Sequence, residues 1–484
     1  MHSLLRTPRR SLSTRAGALA LVVALASASC GGPTAGKAAP TSSTTQVTTT
    51  TAGPAPPSAG GSAASTGDWL TYHGDNARSG VDHTGARLSN LHRAWVSPTL
   101  DGQIYAEPLV WHNLVIVATE NDTVYGIDAA TGKPVWSQHL GTPVPLSRLK
   151  CGNIDPLGIT ATPAIDATNG RLFVVEESLA GNAVTHQLAA LDAATGHVIF
   201  QEPDDPPGLN AVDQQQRSAL LVADGRVYAA YGGLFGDCGS YHGWVVSAST
   251  SGPGPLSAYQ VPTENQGAIW APGGPVQDSS GAIVVATGNG ASTGAYDYGN
   301  SVIKLTPTLA VTDHFAPTDY AADNAADRDV GSTSPQLLAS NLIFQVGKTK
   351  EGFLLDANRL GGIGGQIFQA PVCFVISGGN AGSGADVYVP CSDGGLKDVR
   401  VARTASGASF AVAWTAPVSG SPIVAGGYVW VMDGKTLYGL DPTSGQVAQK
   451  APLGTTPNHF ATPAAGHGLL VAGVAKTVRA FSGS

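Results

Sequence analysis

The chain has 484 residues, of which 62 are Gly and 32 Pro, while only 12% are charged; so turn-rich a composition disfavours helical classes. Four arginines precede residue 30, and the rest of the chain carries 22 basic against 34 acidic residues, a formal charge of −12. That balance argues against a nucleic-acid partner.

Residues 1–29 read as an export signal: Arg6, Arg9, Arg10 and Arg15 precede the apolar run Ala16 to Ala26 and a small-residue stretch. Ala28-Ser29-Cys30-Gly31 resembles a bacterial lipoprotein cleavage box, which makes Cys30 the expected lipidation site and the membrane lipid anchor. Ordinary cleavage near Ala28, releasing a soluble protein, is the alternative. Residues 30–66 are almost entirely Thr, Ser, Ala, Gly and Pro, with Lys37 as the one charge. A segment of that composition buries no core and reads as a disordered tether.

From residue 67 to 484 the chain reads as one all-β domain. Leu91 to Ser97 is a lone strand ending near Trp95, and the C-terminus from His459 supplies three strand-like runs without a fourth. The N-terminal strand is therefore expected to complete the last blade and remove an exposed edge. Val124 to Trp136, VYGIDAATGKPVW, places a β-rich run before an Asp-to-Gly turn and a new strand. The phrase returns at Leu188 to Phe200 and Leu437 to Gln449, and in degraded form at Phe353 to Phe368. A repeat of about forty residues with its turn at a fixed place marks a propeller blade. Inner-strand phrases begin near Ala106, Thr160, Gln216, Ala271, Ser332, Ser377, Ser419 and Ala461. The expectation is an eight-bladed β-propeller of four-stranded antiparallel blades, least regular in blades four to six.

Four cysteines follow Cys30: Cys151, Cys238, Cys373 and Cys391. An even count in an exported chain favours two disulfides, of which three pairings are open; Cys373 with Cys391 inside a blade and Cys151 with Cys238 between loops is the expected one. None has the C-x-x-C spacing of a metal site.

The Asp128-to-Trp136 phrase resembles the tryptophan-docking repeat of pyrroloquinoline quinone (PQQ) type propellers, which include quinoprotein dehydrogenases and non-enzymatic propeller lipoproteins. Likeness to the alcohol dehydrogenases implies Asn289 of the Thr287-Gly288-Asn289 hairpin and Glu177 as ligands of Ca²⁺, Asp329 as catalytic base, and Lys350 as the cation on the quinone. Carboxylate and amide oxygens suit a hard Ca²⁺. The chain departs from that group in having no adjacent cysteine pair, no C-x-x-C-H haem motif, and Gly290-Ala291 after the hairpin. A second likeness, over nearly all of residues 68–484, is to exported PQQ-like propellers of unsettled activity. It makes Arg217, Trp270, Tyr241 and His242 channel or rim residues, with Arg217 facing an anionic ligand or an acidic neighbour.

Without these likenesses, Asn289 between two glycines suits a left-handed turn, Asp327 and Asp329 suit loop caps, and Lys348 and Lys350 suit solvated charges. The function expected is a binding or scaffold protein of the cell envelope, monomeric, engaging a protein, a glycan or a small ligand. The alternative is a PQQ- and Ca²⁺-dependent dehydrogenase of alcohols or sugars. A glycan hydrolase using Asp327 and Asp329 is a third reading.

Overall fold

The computed structural model describes residues 67–339, 341–376, 378–404 and 407–484; the signal, Cys30 and the tether lie outside them. Eight antiparallel sheets follow one another along the chain. Blade 1 is built from Leu109–Trp111, Leu114–Thr119, Thr123–Asp128 and Pro134–His139, and blade 2 from Ala164–Asp166, Arg171–Ala180, Ala183–Asp192 and Val198–Pro203. Blades 3 to 7 begin at Leu221, Val276, Gln336, Ala381 and Ile423. These starts follow the inner-strand phrases in order, so the eight-bladed reading holds.

The last blade combines Ala464–Gly466, Leu469–Val474 and Thr477–Ser482 with the N-terminal strand His92–Val96, which pairs antiparallel with Thr477–Ser482. The ring is thereby closed by strands from both ends of the domain. Blades 3 and 4 carry additions: Gln214–Gln215 lengthens blade 3, and Gly362–Ile363 pairs in parallel with Val311–Ala316 of blade 4. Both disulfides form as expected, Cys151 with Cys238 and Cys373 with Cys391, at Cα separations of 6.1 and 5.6 Å. They suit an oxidising, extracytoplasmic compartment.

The core is divided among the interfaces between neighbouring blades. Ile116, Ala118, Val124, Leu172, Val174 and Ala189, for example, pack blade 1 on blade 2. The recurring turn explains part of that packing. Gly132, at φ +72°, lies under the ring of Trp95 from the preceding blade; a Cβ there would stand 2.5 Å from the indole, whose Nε1 donates to Ala129 O at 2.7 Å. Trp136 lies in the same way on Gly196, and Trp414 on Gly445. The Asp-to-Gly turn is therefore a socket for the tryptophan of the blade before it.

Residues 69–82, which the repeat pattern leaves unassigned, form a plug along the channel wall. Trp69 pairs with Val110 of blade 1, and Leu70 O accepts from Ile165 N of blade 2. Thr71 Oγ1 donates to Leu220 O beside blade 3, and Asn76 O accepts from Gln277 N of blade 4. Ser79 O and Gly80 O accept from Gly382 N and Val424 N of blades 6 and 7. His73, fully buried, bonds Asn380 O and Thr462 Oγ1. The Arg78 guanidinium, also buried, donates to Gly273 O at 2.7 Å, Leu220 O at 2.9 Å and Thr71 Oγ1 at 2.7 Å. The segment thus satisfies inner-strand groups that an open channel would leave to water.

Candidate functional site

In each blade the first two strands are antiparallel, so the loop entering the inner strand and the hairpin leaving the second strand lie at the same end. That end is the channel mouth. Arg217, Trp270, Asp329 and Phe460 stand on entry loops, while Asn289 and Lys348 stand on hairpins that follow second strands.

Two aromatic rings face each other at the mouth. Trp270 and Phe460 have centroids 6.1 Å apart. Arg217 Cζ lies 5.0 Å from the Phe460 centroid, and Lys348 Nζ lies 5.6 Å from the Trp270 ring. Cations over aromatic faces at these distances are attracted by the ring quadrupole. The Arg217 guanidinium donates to Gln215 Oε1 at 2.9 Å; no carboxylate among the described residues comes within ion-pair distance of it. Burial lowers its pKa to about 10, with Glu120 and Tyr105 opposing. His459, beside Phe460, has its pKa lowered by burial and by the Arg217 charge.

On the other side of the mouth Asp329 is buried. Its Oδ2 lies 2.6 Å from Lys348 Nζ, and its Oδ1 accepts from Asn289 N at 2.7 Å. Burial pushes its carboxyl up against the pull of both contacts. Burial disfavours the Lys348 ammonium, yet Asp329 and Asp327 raise it above its ordinary value. Lys348 also reaches Asp327 at 3.1 Å, so one ammonium holds both acids of the Asp327/Asp329 pair.

The structure therefore gathers Asp329, Asn289 and Trp270, and reaches Arg217 through Phe460. Lys348, two residues before the expected Lys350, is the cation at Asp329. The reason is local: Lys348 N donates to Asp329 O, whereas Lys350 has φ +69° and carries its exposed ammonium 3.4 Å from Asp393 and 5.9 Å from the Phe374 ring. Asn289 is absent from the positive-φ residues, so the left-handed turn reading fails; its carbonyl accepts from Gly267 N and its Nδ2 donates to Gln266. Tyr241 is buried and donates its hydroxyl to Asp237, while His242 bridges to Gln266 through its backbone.

Glu177 lies in a different setting, inside blade 2. Its Oε2 is 3.4 Å from His186 Nε2, and His186 Nδ1 is 2.6 Å from Asp205. Burial opposes the charged ring, but Asp205 and Glu177 push its pKa up to about 10. Two further carboxylates crowd this region from the Thr119–Thr123 hairpin of blade 1. Burial raises Glu120 to about 8, and burial with Glu176, Glu120 and Glu177 nearby raises Asp122 to about 10.

These contacts decide which groups suit a quinone and its metal. The Arg217 guanidinium and the Trp270 ring are the kinds of group a planar, carboxylate-bearing quinone uses, while the Lys348 ammonium over Trp270 is already paired with Asp327 and Asp329. The Ca²⁺ donor set is not assembled: Glu177 is held by His186 inside blade 2, Asn289 stands on the hairpin beside Asp329 with its Nδ2 on Gln266, and the two residues share no bonding partner. Among the described residues, no group of three or more His, Cys, Asp or Glu side chains is placed to hold a metal ion.

Phe460, His459 and the role of Lys348 escape the sequence reading. A signal exists for Phe460: it precedes Ala461-Thr462-Pro463 much as Trp270 precedes Ala271-Pro272. Both aromatics sit just upstream of an inner strand and so point to the same mouth.

Comparison with known proteins agrees with this fold and these repeats. Residues 76–312 match a family model described as outer membrane protein assembly factor BamB. The dehydrogenase subunit of the quinone alcohol dehydrogenase of Gluconacetobacter polyoxogenes is 29% identical over 178 residues, covering 34% of this chain and 22% of that one. The corresponding subunit from Komagataeibacter europaeus matches to the same extent. The match thus spans about a fifth of the length of these relatives. Among solved structures, the quinohemoprotein alcohol dehydrogenase of Comamonas testosteroni superposes with a TM-score of 0.60 at 17% identity, over 87% of this chain and 81% of that one. BamB from Moraxella catarrhalis gives 0.53 at 15% identity, over 81% and 98%. These two likenesses are of fold.

Eight antiparallel blades, three of them with a tryptophan-socket turn, define an all-β propeller. The family-model match over residues 76–312 and the quinone alcohol dehydrogenase relatives make the chain similar to PQQ-like β-propellers.

Proposed function

We propose that this chain is an extracytoplasmic binding protein whose channel mouth takes a planar, carboxylate-bearing ligand of the quinone class. The observation that carries this reading is Arg217: a largely desolvated guanidinium, stacked on Phe460, with a single neutral hydrogen-bond acceptor. Such a group gains from an anion able to accept paired N–H bonds. Trp270 supplies a stacking face across the mouth, with the Lys348 ammonium, paired to Asp327 and Asp329, over its ring. Residues 69–82 line the inner strands, and the ligand is taken to enter from the loop side. Attachment through a lipid on Cys30, a monomeric state and a protein or glycan partner at the envelope belong to the same proposal.

A second reading, the PQQ-dependent dehydrogenase of alcohols or sugars, is favoured by Asp329, a buried carboxylate beside a lysine and Trp270. In it Asp329 is the base and Lys348 takes the part first given to Lys350. The engagement of Glu177 by His186 weighs against it.

Calorimetric titration of PQQ into the protein, with and without Ca²⁺, tests the two. Micromolar binding that is indifferent to Ca²⁺ and weakens about tenfold or more in Arg217→Ala is expected. Binding that requires Ca²⁺ and is abolished in Glu177→Gln moves the conclusion to the dehydrogenase; no binding at high micromolar quinone removes both.

A further inference from the structure

The mouth holds the right groups but no room for a flat ligand. A ring stacked between two aromatic faces needs them about 7 Å apart, twice an ordinary carbon contact. Trp270 and Phe460 are 6.1 Å apart and tilted by 52°. The gap that Phe460 leaves among Tyr72, Tyr105, Arg217 and Pro272 has about 10 Å³ free, roughly the space of one water. On the far side of Phe460 lies a cavity of about 200 Å³ bounded by Gly378, Gly420, Ser421, Met432 and Thr456.

Phe460 itself is poorly anchored. Its φ is +67°, a region costly for an aromatic residue. It belongs to the loop Gly454–Ala461, half of it exposed, which is tied by the Ala461 N to Asn458 O bond and by the Asn458 side chain on Ile104 O and Gln103.

We propose that Phe460 is a movable cover over Arg217, and that ligand entry turns its ring out of the channel into the neighbouring cavity. The ligand's own ring then takes the place of Phe460 between Arg217 and Trp270. That cavity, bounded by Gly378, Gly420 and Ser421, has room to receive a phenyl group. The inference rests on the Arg217 reading above for its purpose, but its mechanics can be tested without a ligand.

The test is the rate at which phenylglyoxal modifies Arg217 in the full chain, read by peptide mass spectrometry against exposed Arg87 as internal reference. Phe460→Ala is expected to speed Arg217 labelling several-fold. Thr456→Trp, which fills the receiving cavity from its rim, is expected to slow it several-fold. Phe460→Leu, which keeps apolar packing, gives an intermediate rate and guards against misfolding of the alanine variant. Equal Arg217 rates in wild type, Phe460→Leu and Thr456→Trp overturn the cover. Accelerated labelling without quinone binding upholds the cover and removes the ligand reading, whereas quinone binding with unchanged labelling removes the cover alone.

Discussion

Single residues set the electrostatic character of this protein, and they do so mainly through burial. Asp122 is fully buried, neither of its carboxyl oxygens has a hydrogen-bond partner, and its pKa is raised to about 10. Burial raises Glu120 to about 8, and Glu176 and Asp204 to about 7. Between the ordinary carboxyl range and these values the folded chain keeps protons that the unfolded chain has released. Stability therefore falls as pH rises through that window. His186 acts in the same direction: with a folded pKa near 10, its contribution is complete below about pH 6.5 and is lost as pH rises towards 10. Thermal unfolding should give a higher midpoint at pH 5 than at pH 8. Asp122→Asn should stabilise the protein at pH 7.5 by about 1 kcal/mol or more, a gain that vanishes near pH 3.5 where both states hold the proton. An unaltered pH profile in that variant would show that Asp122 is ionised in the fold.

At the scale of the element, the unit is a blade plus the socket it offers its neighbour. Trp95 is 8% exposed and spans from the closing strand to the turn of blade 1. Trp95→Ala should cost about 3 kcal/mol in denaturant unfolding, in the range for large buried aromatics. Gly196→Ala meets two penalties at once, a φ of +73° and a Cβ placed 2.4 Å from the Trp136 ring. Its cost should exceed the roughly 1 kcal/mol typical of glycine replacement at a left-handed position. A loss near zero at Gly196 would mean that Trp136 moves aside without penalty. Repetition made this element readable: Asp, Thr and Gly recur at the same spacing, and each Gly has both conformational and packing reasons to be there. The irregular middle blades were readable only as starts, because the loops around Asn289 and Asp329 are shaped by bonds between distant segments.

For the whole molecule, the decisive contacts join the N-terminal segment to the ring. Arg78 donates to blades 3 and 4 and to Thr71, and burial lowers its pKa to about 10. Removing it leaves several buried acceptors unpaired. Arg78→Met should therefore destabilise the ring by about 3 kcal/mol or more, and Arg78→Lys should restore little, since an ammonium lacks the fork that meets acceptors in one plane. Full rescue by lysine in a urea titration would show that charge alone matters there.

The sequence by itself determined the all-β class, the number of blades and the closure by the N-terminal strand, because these rest on periodic turns, composition and local signals. Likeness to known propellers pointed to Arg217, Trp270, Asn289 and Asp329, and also to Glu177, Lys350, Tyr241 and His242, which the structure places elsewhere or engages otherwise. Only the tertiary structure decided that Lys348 pairs with Asp329, that His186 engages Glu177, that Phe460 stacks on Arg217, and that residues 69–82 line the inner strands. Each of these joins segments far apart in the chain or turns on a backbone torsion. Side-chain direction and long-range pairing follow from packing of the complete ring, which no local spacing encodes.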